Sequence, residues 1–306
     1  MTRPPGAAGL PSRAAVLGLG LIGGSVAREL AAAGVQVCGY DRDPGQLRAA
    51  LDAGCVEVAL TERLEGLEAC DLVVLAVPVD VAPALLARVA PLLGAEAVIT
   101  DTGSTKQPIV DEARRLGLGA RFVGSHPLAG DHRSGWGASR AGLFEDARVF
   151  LCAADGDGDA GDASDSRDVR DVRDVRDAGA AIQRVSAMWR AFGAHPELTD
   201  AARHDRQLAW SSHLPHFLAG SLALALSGAG IGRGQLGPGG RDMTRLAGSS
   251  PALWAAVARQ NADAIADALA AAESELAAFR EALRGGDSAT LQARLATSRA
   301  WFEAGP

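Results

Sequence analysis

The sequence AAVLGLGLIGGSVA, residues 14–27, places four glycines directly after a short apolar run. The apolar run predicts a buried strand, and the periodicity that follows the glycines predicts a helix. Three of the glycines have the GxGxxG spacing, which permits a tight turn, lets a pyrophosphate approach the backbone and allows the helix to pack closely on the strand. We therefore expect a dinucleotide-binding loop formed by Gly18, Gly20, Leu21, Ile22 and Gly23.

Outward from this loop, short apolar runs alternate with helical periodicity up to about residue 153, which is typical of a parallel βαβ sheet. The predicted strands are Ala14–Leu19, Val35–Tyr40, Leu72–Val77, Ala97–Thr100, Arg121–Val123 and Val149–Cys152. The predicted helices between them are Gly23–Ala33, Pro44–Ala53, Val81–Leu93 and Lys106–Leu116. The fold class is therefore an α/β Rossmann domain at the N-terminus.

Asp41 follows the second predicted strand, where a carboxylate can accept hydrogen bonds from both hydroxyls of an adenosine ribose. This position favours NAD over NADP, although neighbouring Arg42 leaves dual use open. Asp41 could instead cap a helix or turn. The Val77-Pro78 step ends the third predicted strand, and we expect its loop to lie close to the cofactor.

The composition excludes several classes of function. The net charge of −7 comes mostly from nine Asp against four Arg in residues 155–177, and no basic patch indicates a nucleic-acid partner. The apolar stretch 207–232 contains histidines, a proline and several glycines, which favours a buried core helix over a membrane span. Four separated cysteines without a CxxC pair indicate free thiols in a reducing cytoplasm rather than disulfides or a metal site.

Three regions follow from the pattern. Residues 1–153 form the predicted NAD-binding domain, and residues 154–179 form an Asp/Arg-rich insertion that cannot bury a core and is expected to be mobile. Residues 180–306 are rich in Ala and Leu, with helical runs near 180–193, 200–228, 242–284 and 288–303. Because the run 242–284 is apolar on more than one face, we expect an all-α domain that pairs with a second subunit in a homodimer.

Two polar clusters should lie at the carboxyl ends of neighbouring strands, where open α/β sheets bind their ligands. They are DTGSTK at residues 101–106 and GSHPLAG at residues 124–130. This placement puts Ser104 and His126 near a bound nicotinamide ring. A histidine there can take a hydroxyl proton while hydride leaves, because its ordinary pKa is about 6.5.

At this point the chain resembles the prephenate/arogenate (cyclohexadienyl) dehydrogenases of tyrosine biosynthesis. The resemblance covers almost the whole chain and rests on five motifs in order: GLGLIGGS, DTGSTK, FVGSHPLAG with the trailing HRSG, HD followed by SHLPH, and GGRDMTRLAGSSPALW with a downstream Asn261. It implies NAD-dependent oxidative decarboxylation of prephenate to 4-hydroxyphenylpyruvate. The Asp/Arg-rich insertion departs from the family pattern.

The resemblance also implies roles for particular residues. His126 would be the base at the substrate's 4-hydroxyl group, and Ser104 would bond the same hydroxyl or orient the imidazole. Arg245 would bind a substrate carboxylate, and His213 or His216 would line the pocket from the helical domain. His132 lies in a loop that varies in the family and would help to select between a keto-acid and an amino-acid side chain.

Plainer interpretations of these residues stay open. Ser104 could be a turn serine, His126 a structural histidine before a proline, and Arg245 an exposed helix charge. A metal pair formed by His213 and His216 would need a carboxylate such as Asp205, and we expect no metal. For the whole chain the alternatives are an arogenate dehydrogenase, another Rossmann dehydrogenase such as a β-hydroxyacid dehydrogenase or imine reductase, and a non-catalytic NAD-binding sensor.

Overall fold

A computed structural model describes residues 9–130, 133–154, 170–171 and 179–305 of the chain. Its sheet has the strand order β3-β2-β1-β4-β5-β6-β7-β9-β8. The strands are β1 Arg13–Leu17, β2 Gln36–Tyr40, β3 Val58–Ala59, β4 Leu72–Leu75, β5 Val98–Asp101, β6 Phe122–Pro127, β7 Arg148–Ala153, β8 Arg170–Asp171 and β9 His195–Leu198. The helices are α1 Leu21–Ala32, α2 Pro44–Asp52, α3 Ala82–Val89, α4 Gln107–Arg115, α5 Ala180–Ala191, α6 Ala201–Leu208, α7 Leu214–Gly228, α8 Pro238–Met243, α9 Pro251–Gln260, α10 Ala262–Gly285 and α11 Ser288–Glu303.

Six neighbouring strands, β3-β2-β1-β4-β5-β6, are parallel. The sequence predicts all of them except β3. Alternate residues of β1 enter two different cores, since Ala14 and Val16 pack on one face of the sheet and Ala15 and Leu17 on the other. A sheet that is covered on both faces leaves only its edges open. The carboxyl ends of the parallel strands therefore form the edge at which a ligand can bind.

The expectation of a parallel strand at Val149–Cys152 is wrong, because β7 pairs antiparallel with β6. The reason lies in the connection. A parallel return requires a crossover, usually a helix, but the described residues between β6 and β7 hold only one short 3₁₀ turn at Trp136–Ala138. The short strands β3 and β9 were also missed, since two or four residues give too little periodicity to detect.

The chain divides into two units, the first comprising the residues up to Gln207 with Gly248–Gln260, and the second comprising Leu208–Ala247 with the residues from Asn261 onward. Residues 180–207 were expected in the helical domain but belong to the first unit, where the α5 side chains Val185, Met188 and Trp189 join the core beneath the sheet. Except at Arg170–Asp171 and its two end residues, the predicted insertion 154–179 lies outside the described residues.

The predicted helical run 242–284 is interrupted. Pro251 begins α9 because proline lacks the N–H that would continue a preceding helix. Asn261 separates α9 from α10, with φ −128° and ψ 37°, which are not helical values. No helix in the described part of the chain is long and apolar enough to cross a membrane.

Candidate active site

The glycine loop after β1 has the shape that a dinucleotide requires. Gly18 has φ +96°, and a Cβ atom there would lie 2.3 Å from the carbonyl oxygen of Ala76. A Cβ atom on Gly23 would lie 1.9 Å from the carbonyl oxygen of Gly18, so both glycines are fixed by the fold. Gly20 differs, because a Cβ atom there would meet no described protein atom within 4 Å.

Gly20 is therefore not required by the packing of the chain, and it is the glycine expected to face a pyrophosphate. Gly20 also precedes α1, whose N-terminus has no side-chain cap among the described residues. Uncapped backbone N–H groups and the helix dipole favour an anion at this position. These residues fit the diphosphate of a dinucleotide cofactor.

Asp41, at the end of β2, braces the glycine loop. One carboxylate oxygen accepts the backbone N–H of Leu19 at 2.6 Å, and the other accepts that of Asp43 at 2.9 Å. The capping role considered for Asp41 is thus present. Each oxygen keeps a further lone pair, so the carboxylate can also accept from a ribose.

The Val77-Pro78 step lies beside this loop. The Cγ1 atom of Val77 is 3.1 Å from the position that a Cβ atom on Gly18 would occupy. Pro78 accepts backbone hydrogen bonds from Val81 and Ala82 at the start of α3. The structure therefore brings the predicted cofactor residues together at the ends of β1, β2 and β4.

A feature that the sequence reasoning missed explains the second glycine of the Gly23-Gly24 pair. A Cβ atom on Gly24 would lie within 3 Å of Ser139 and Trp136, from the connection that follows β6. Arg28 of α1 stacks over the Trp136 ring at 4.2 Å and donates to Ser139 at 2.9 Å. The connection after β6 is thus packed against α1, while His132 in the same connection lies outside the described residues.

His126 lies at the carboxyl end of β6 and is joined to a buried histidine and a carboxylate. Its Nδ1 atom is 2.8 Å from Nε2 of His204, and Nδ1 of His204 is 2.7 Å from Oδ1 of Asp205. His204 is fully buried. Asp205 is held by the backbone N–H groups of Lys106 at 2.8 Å and Gln107 at 2.9 Å, which begin α4.

These contacts determine which nitrogen carries each proton. An ionised Asp205 accepts from Nδ1–H of His204, so Nε2 of a neutral His204 must accept from Nδ1–H of His126. Burial lowers the pKa of His204, against the opposing effect of Asp205, and this favours the neutral ring. A neutral His126 then has its lone pair on Nε2, the form that a base requires.

Ser104 lies in the turn between β5 and α4, where it is half-buried, and its hydroxyl has no hydrogen-bond partner within the described part of the chain. The turn is rigid because of Asp101, which accepts the backbone N–H groups of Gly103 at 2.8 Å and Ser125 at 3.2 Å and is ion-paired with Lys106. Both partners of the pair are buried, and burial raises the pKa of Asp101 while Lys106 opposes the rise. Breaking such a pair is costly, so the pair holds Ser104 at the sheet edge.

In the second unit, His213 is buried at the end of a π-helical turn, a deviation that is frequent at functional sites. The side-chain amide nitrogen of Asn261 is 3.2 Å from Nδ1 of His213. An amide nitrogen only donates, so Nδ1 accepts and a neutral His213 carries its proton on Nε2.

His216 and Arg245 lie near each other within the same unit. Nδ1 of His216 donates to the carbonyl oxygen of Ser212 at 3.1 Å. Burial lowers the pKa of His216, and the charge of Arg245 lowers it further. Arg245 is exposed and begins a 3₁₀ turn. In the single chain its position therefore matches the plainer interpretation of this residue as an exposed charge.

Comparison with known proteins adds two family matches. Residues 26–171 match the family model "Prephenate dehydrogenase, nucleotide-binding domain", and residues 200–297 match "Prephenate dehydrogenase, dimerization domain". The cyclohexadienyl dehydrogenase of Zymomonas mobilis is 32% identical over 89% of both chains. The prephenate dehydrogenase of Bacillus subtilis is 32% identical over 82% of this chain, and this chain spans 64% of its length.

Solved structures agree with these matches. The prephenate dehydrogenase from A. aeolicus, in complex with hydroxyphenyl propionate and NAD+, superimposes with a TM-score of 0.79 at 25% identity, covering 96% of this chain and 98% of that one. The arogenate dehydrogenase of Synechocystis has the same fold, with a TM-score of 0.75 at 24% identity, covering 95% of this chain and 99% of that one.

Proposed function

Because this chain belongs to the prephenate dehydrogenase family, we propose that it oxidises prephenate to 4-hydroxyphenylpyruvate and carbon dioxide, with NAD as the hydride acceptor. The observation that carries the proposal is the hydrogen-bonded chain from His126 through His204 to Asp205. It supplies a general base at the ligand-binding edge of a dinucleotide-binding sheet.

His126 has two tasks in this reaction. Its Nε2 atom takes the proton of the 4-hydroxyl group as hydride leaves C4 of the substrate ring for NAD. Loss of the C1 carboxylate as carbon dioxide then returns an electron pair to the ring and leaves a phenolate oxygen. That oxygen takes the proton back from His126, so the imidazole ends neutral and no net proton is released.

His204 and Asp205 act by orientation and charge. While His126 carries the extra proton, His204 continues to accept from its Nδ1–H, and the Asp205 carboxylate stabilises the positive charge through the intervening ring. Because His204 is fully buried, water does not compete for this contact. Ser104 is proposed to hydrogen-bond the same substrate hydroxyl through its side chain.

Substrate binding is assigned from the family pattern. We propose that Arg245 binds a substrate carboxylate through its planar guanidinium, that His216 and His213 contact the substrate, and that His132 contributes to the choice of side chain. The charge of Arg245 near His216 supports this assignment, since it gives the second unit a cation close to an imidazole.

For the cofactor, we propose NAD bound at the glycine loop, with Asp41 on the adenosine ribose. A 2′-phosphate would meet the Asp41 carboxylate, and this repulsion supports the preference for NAD over NADP.

We also propose a homodimer formed through the helical unit. Its described residues expose Leu224, Leu283, Leu295, Trp301 and Phe302, each more than half accessible, which is unusual for a monomer surface. A cytoplasmic location is proposed from the four free cysteines.

The test is formation of NADH or NADPH by purified protein with NAD or NADP and with prephenate or arogenate, in all four combinations. Turnover of prephenate with NAD supports the proposal. Turnover of arogenate alone would keep the mechanism and change the substrate. No turnover in any of the four combinations, by a folded protein that binds NADH, would refute the proposal.

A further inference from the structure

The last residue of α9, Gln260, bridges two loops at the ligand-binding edge of the first unit. Thr105 donates from its hydroxyl to Oε1 of Gln260 at 2.5 Å. Nε2 of Gln260 donates to the backbone carbonyl of Val79 at 2.7 Å. Thr105 and Val79 are buried, so neither bond is readily replaced by solvent.

The orientation of this amide is set by its partners. The carbonyl of Val79 can only accept, so the NH₂ group of Gln260 must face it. The amide oxygen then faces Thr105, whose hydroxyl must donate. Glutamine satisfies both contacts at once, while a carboxylate in its place would set an oxygen against the carbonyl of Val79.

The two loops are those that carry the site. The cofactor loop, residues 76–80 after β4, contains Val77 and Pro78, and the serine loop, residues 102–106 after β5, contains Ser104. Because β4 and β5 are neighbouring parallel strands, the loops emerge side by side. One side chain thus ties the segment beside the glycine loop to the segment that presents the serine hydroxyl.

Other contacts of α9 with the cofactor loop are less specific. Ala256 and Val257 pack on Val79 in a small buried apolar cluster. Arg259 pairs with Asp80 at 3.0 Å, but both side chains are exposed, and such surface pairs contribute little. Of these contacts between α9 and the cofactor loop, the amide bridge is therefore the one whose hydrogen bonds impose a specific geometry.

We propose that Gln260 is a positioning residue that sets the distance between the cofactor loop and the serine loop, and thereby aligns Ser104 with the bound nicotinamide. It acts through Val79 and Thr105 and does not itself react. The turnover part of this inference rests on the proposed function, while its effect on cofactor binding does not.

The decisive variant is Gln260→Glu. The ionised side chain repels the carbonyl of Val79, whereas the protonated carboxyl can donate to it and restore the bridge. Repulsion raises the pKa of a carboxyl above its ordinary value of about 4.3, so the bridge is lost as the pH rises from about 5 to about 8. Over that range, both the NADH dissociation constant and the loss of kcat, each relative to wild type at the same pH, should grow about tenfold.

A second pair of variants tests the other end of the bridge. Thr105→Val removes the donor and should lower kcat about tenfold, Thr105→Ser should restore it, and Thr105→Val combined with Gln260→Ala should cost no more than either alone. Arg259→Gln, on the same helix, is the control and should leave kcat and NADH affinity unchanged.

The inference would be overturned if the NADH dissociation constant and kcat of Gln260→Glu, each relative to wild type, did not change with pH. Additive losses of kcat in the double variant would also overturn it. If wild type binds NADH but does not turn over prephenate, the proposed function fails. The Gln260→Glu titration of NADH affinity then still decides the positioning role.

Discussion

Replacing Asp205 with asparagine is the change that probes the hydrogen-bonded chain without altering its shape. Asp205 accepts from Nδ1–H of His204 and from the backbone N–H groups of Lys106 and Gln107. Asparagine has a single acceptor oxygen, so in either orientation its NH₂ group opposes a backbone N–H. In one orientation the NH₂ group also opposes Nδ1 of His204. Donor and acceptor would then exchange in each hydrogen bond from residue 205 to His126, and the proton of His126 would lie on Nε2.

The expected loss follows from these two orientations. Exchanging a charged for a neutral acceptor weakens one hydrogen bond by about 1.4 kcal/mol, or about tenfold in kcat. Reversal of the tautomers would remove general-base catalysis, which is worth about 10²- to 10⁴-fold. We therefore expect kcat of Asp205→Asn to fall about 10²-fold, with stability lower by about 1–3 kcal/mol from the unsatisfied N–H at the start of α4.

The assay is steady-state NADH formation, with NADH affinity measured by fluorescence at a temperature at which the variant is folded. Asp111→Asn, an exposed carboxylate on α4, is the matched control and should leave kcat unchanged. A kcat for Asp205→Asn within about threefold of wild type, less than 1 kcal/mol in activation free energy, would refute the tautomer argument.

Further predictions concern the cofactor loop, the substrate cation and the buried histidine. Gly20→Ala should weaken NADH binding without lowering the melting temperature. Gly23→Ala should also destabilise the fold by about 1–3 kcal/mol, because its Cβ atom would meet the backbone. Equal melting temperatures of the two variants would contradict this difference. Asp41→Asn keeps an acceptor for Leu19 and should shift the ratio of kcat/KM for NADP over NAD upward about tenfold or more, and an unchanged ratio would remove Asp41 from the ribose site. Arg245→Ala should raise KM for prephenate about 10²-fold with little change in NADH affinity, and an unchanged KM would exclude it from the substrate site. Burial lowers the folded-state pKa of His204, so below the ordinary histidine value of about 6.5 the unfolded chain binds more protons than the folded one. The urea midpoint of unfolding should therefore fall as the pH falls through that value. A midpoint that rises there would contradict this assignment.

Much of the cofactor half is predictable from sequence because its signals are local. The glycine spacing, the apolar runs and the helix that follows each predicted strand all lie within short windows. Five of the six parallel strands follow from these signals, while the two-residue β3 does not. The antiparallel direction of β7 was not predictable in the same way. It depends on a connection whose described residues hold no crossover helix and in which Trp136 packs on Gly24.

The candidate site shows the same difference between local sequence signals and contacts of residues distant in the sequence. Ser104 and His126 could be singled out because their motifs lie at the carboxyl ends of predicted strands, and their roles stay predictions. The contact of His126 with His204, and through it with Asp205, was missed, because Nδ1 of His126 and Nε2 of His204 meet across 78 positions of the sequence. The HD pair before SHLPH was the signal that could have found them. Gln260 carries no motif, and only the contacts of its amide with Val79 and Thr105 reveal it.

The most direct test of the account is the turnover of prephenate by His126→Asn, measured beside its affinity for NADH. Asparagine at this position can still hydrogen-bond but cannot take the hydroxyl proton. We predict that kcat falls about 10²- to 10⁴-fold while NADH binds as in wild type. Wild-type turnover by this variant would show that His126 is not the base and would contradict the mechanism.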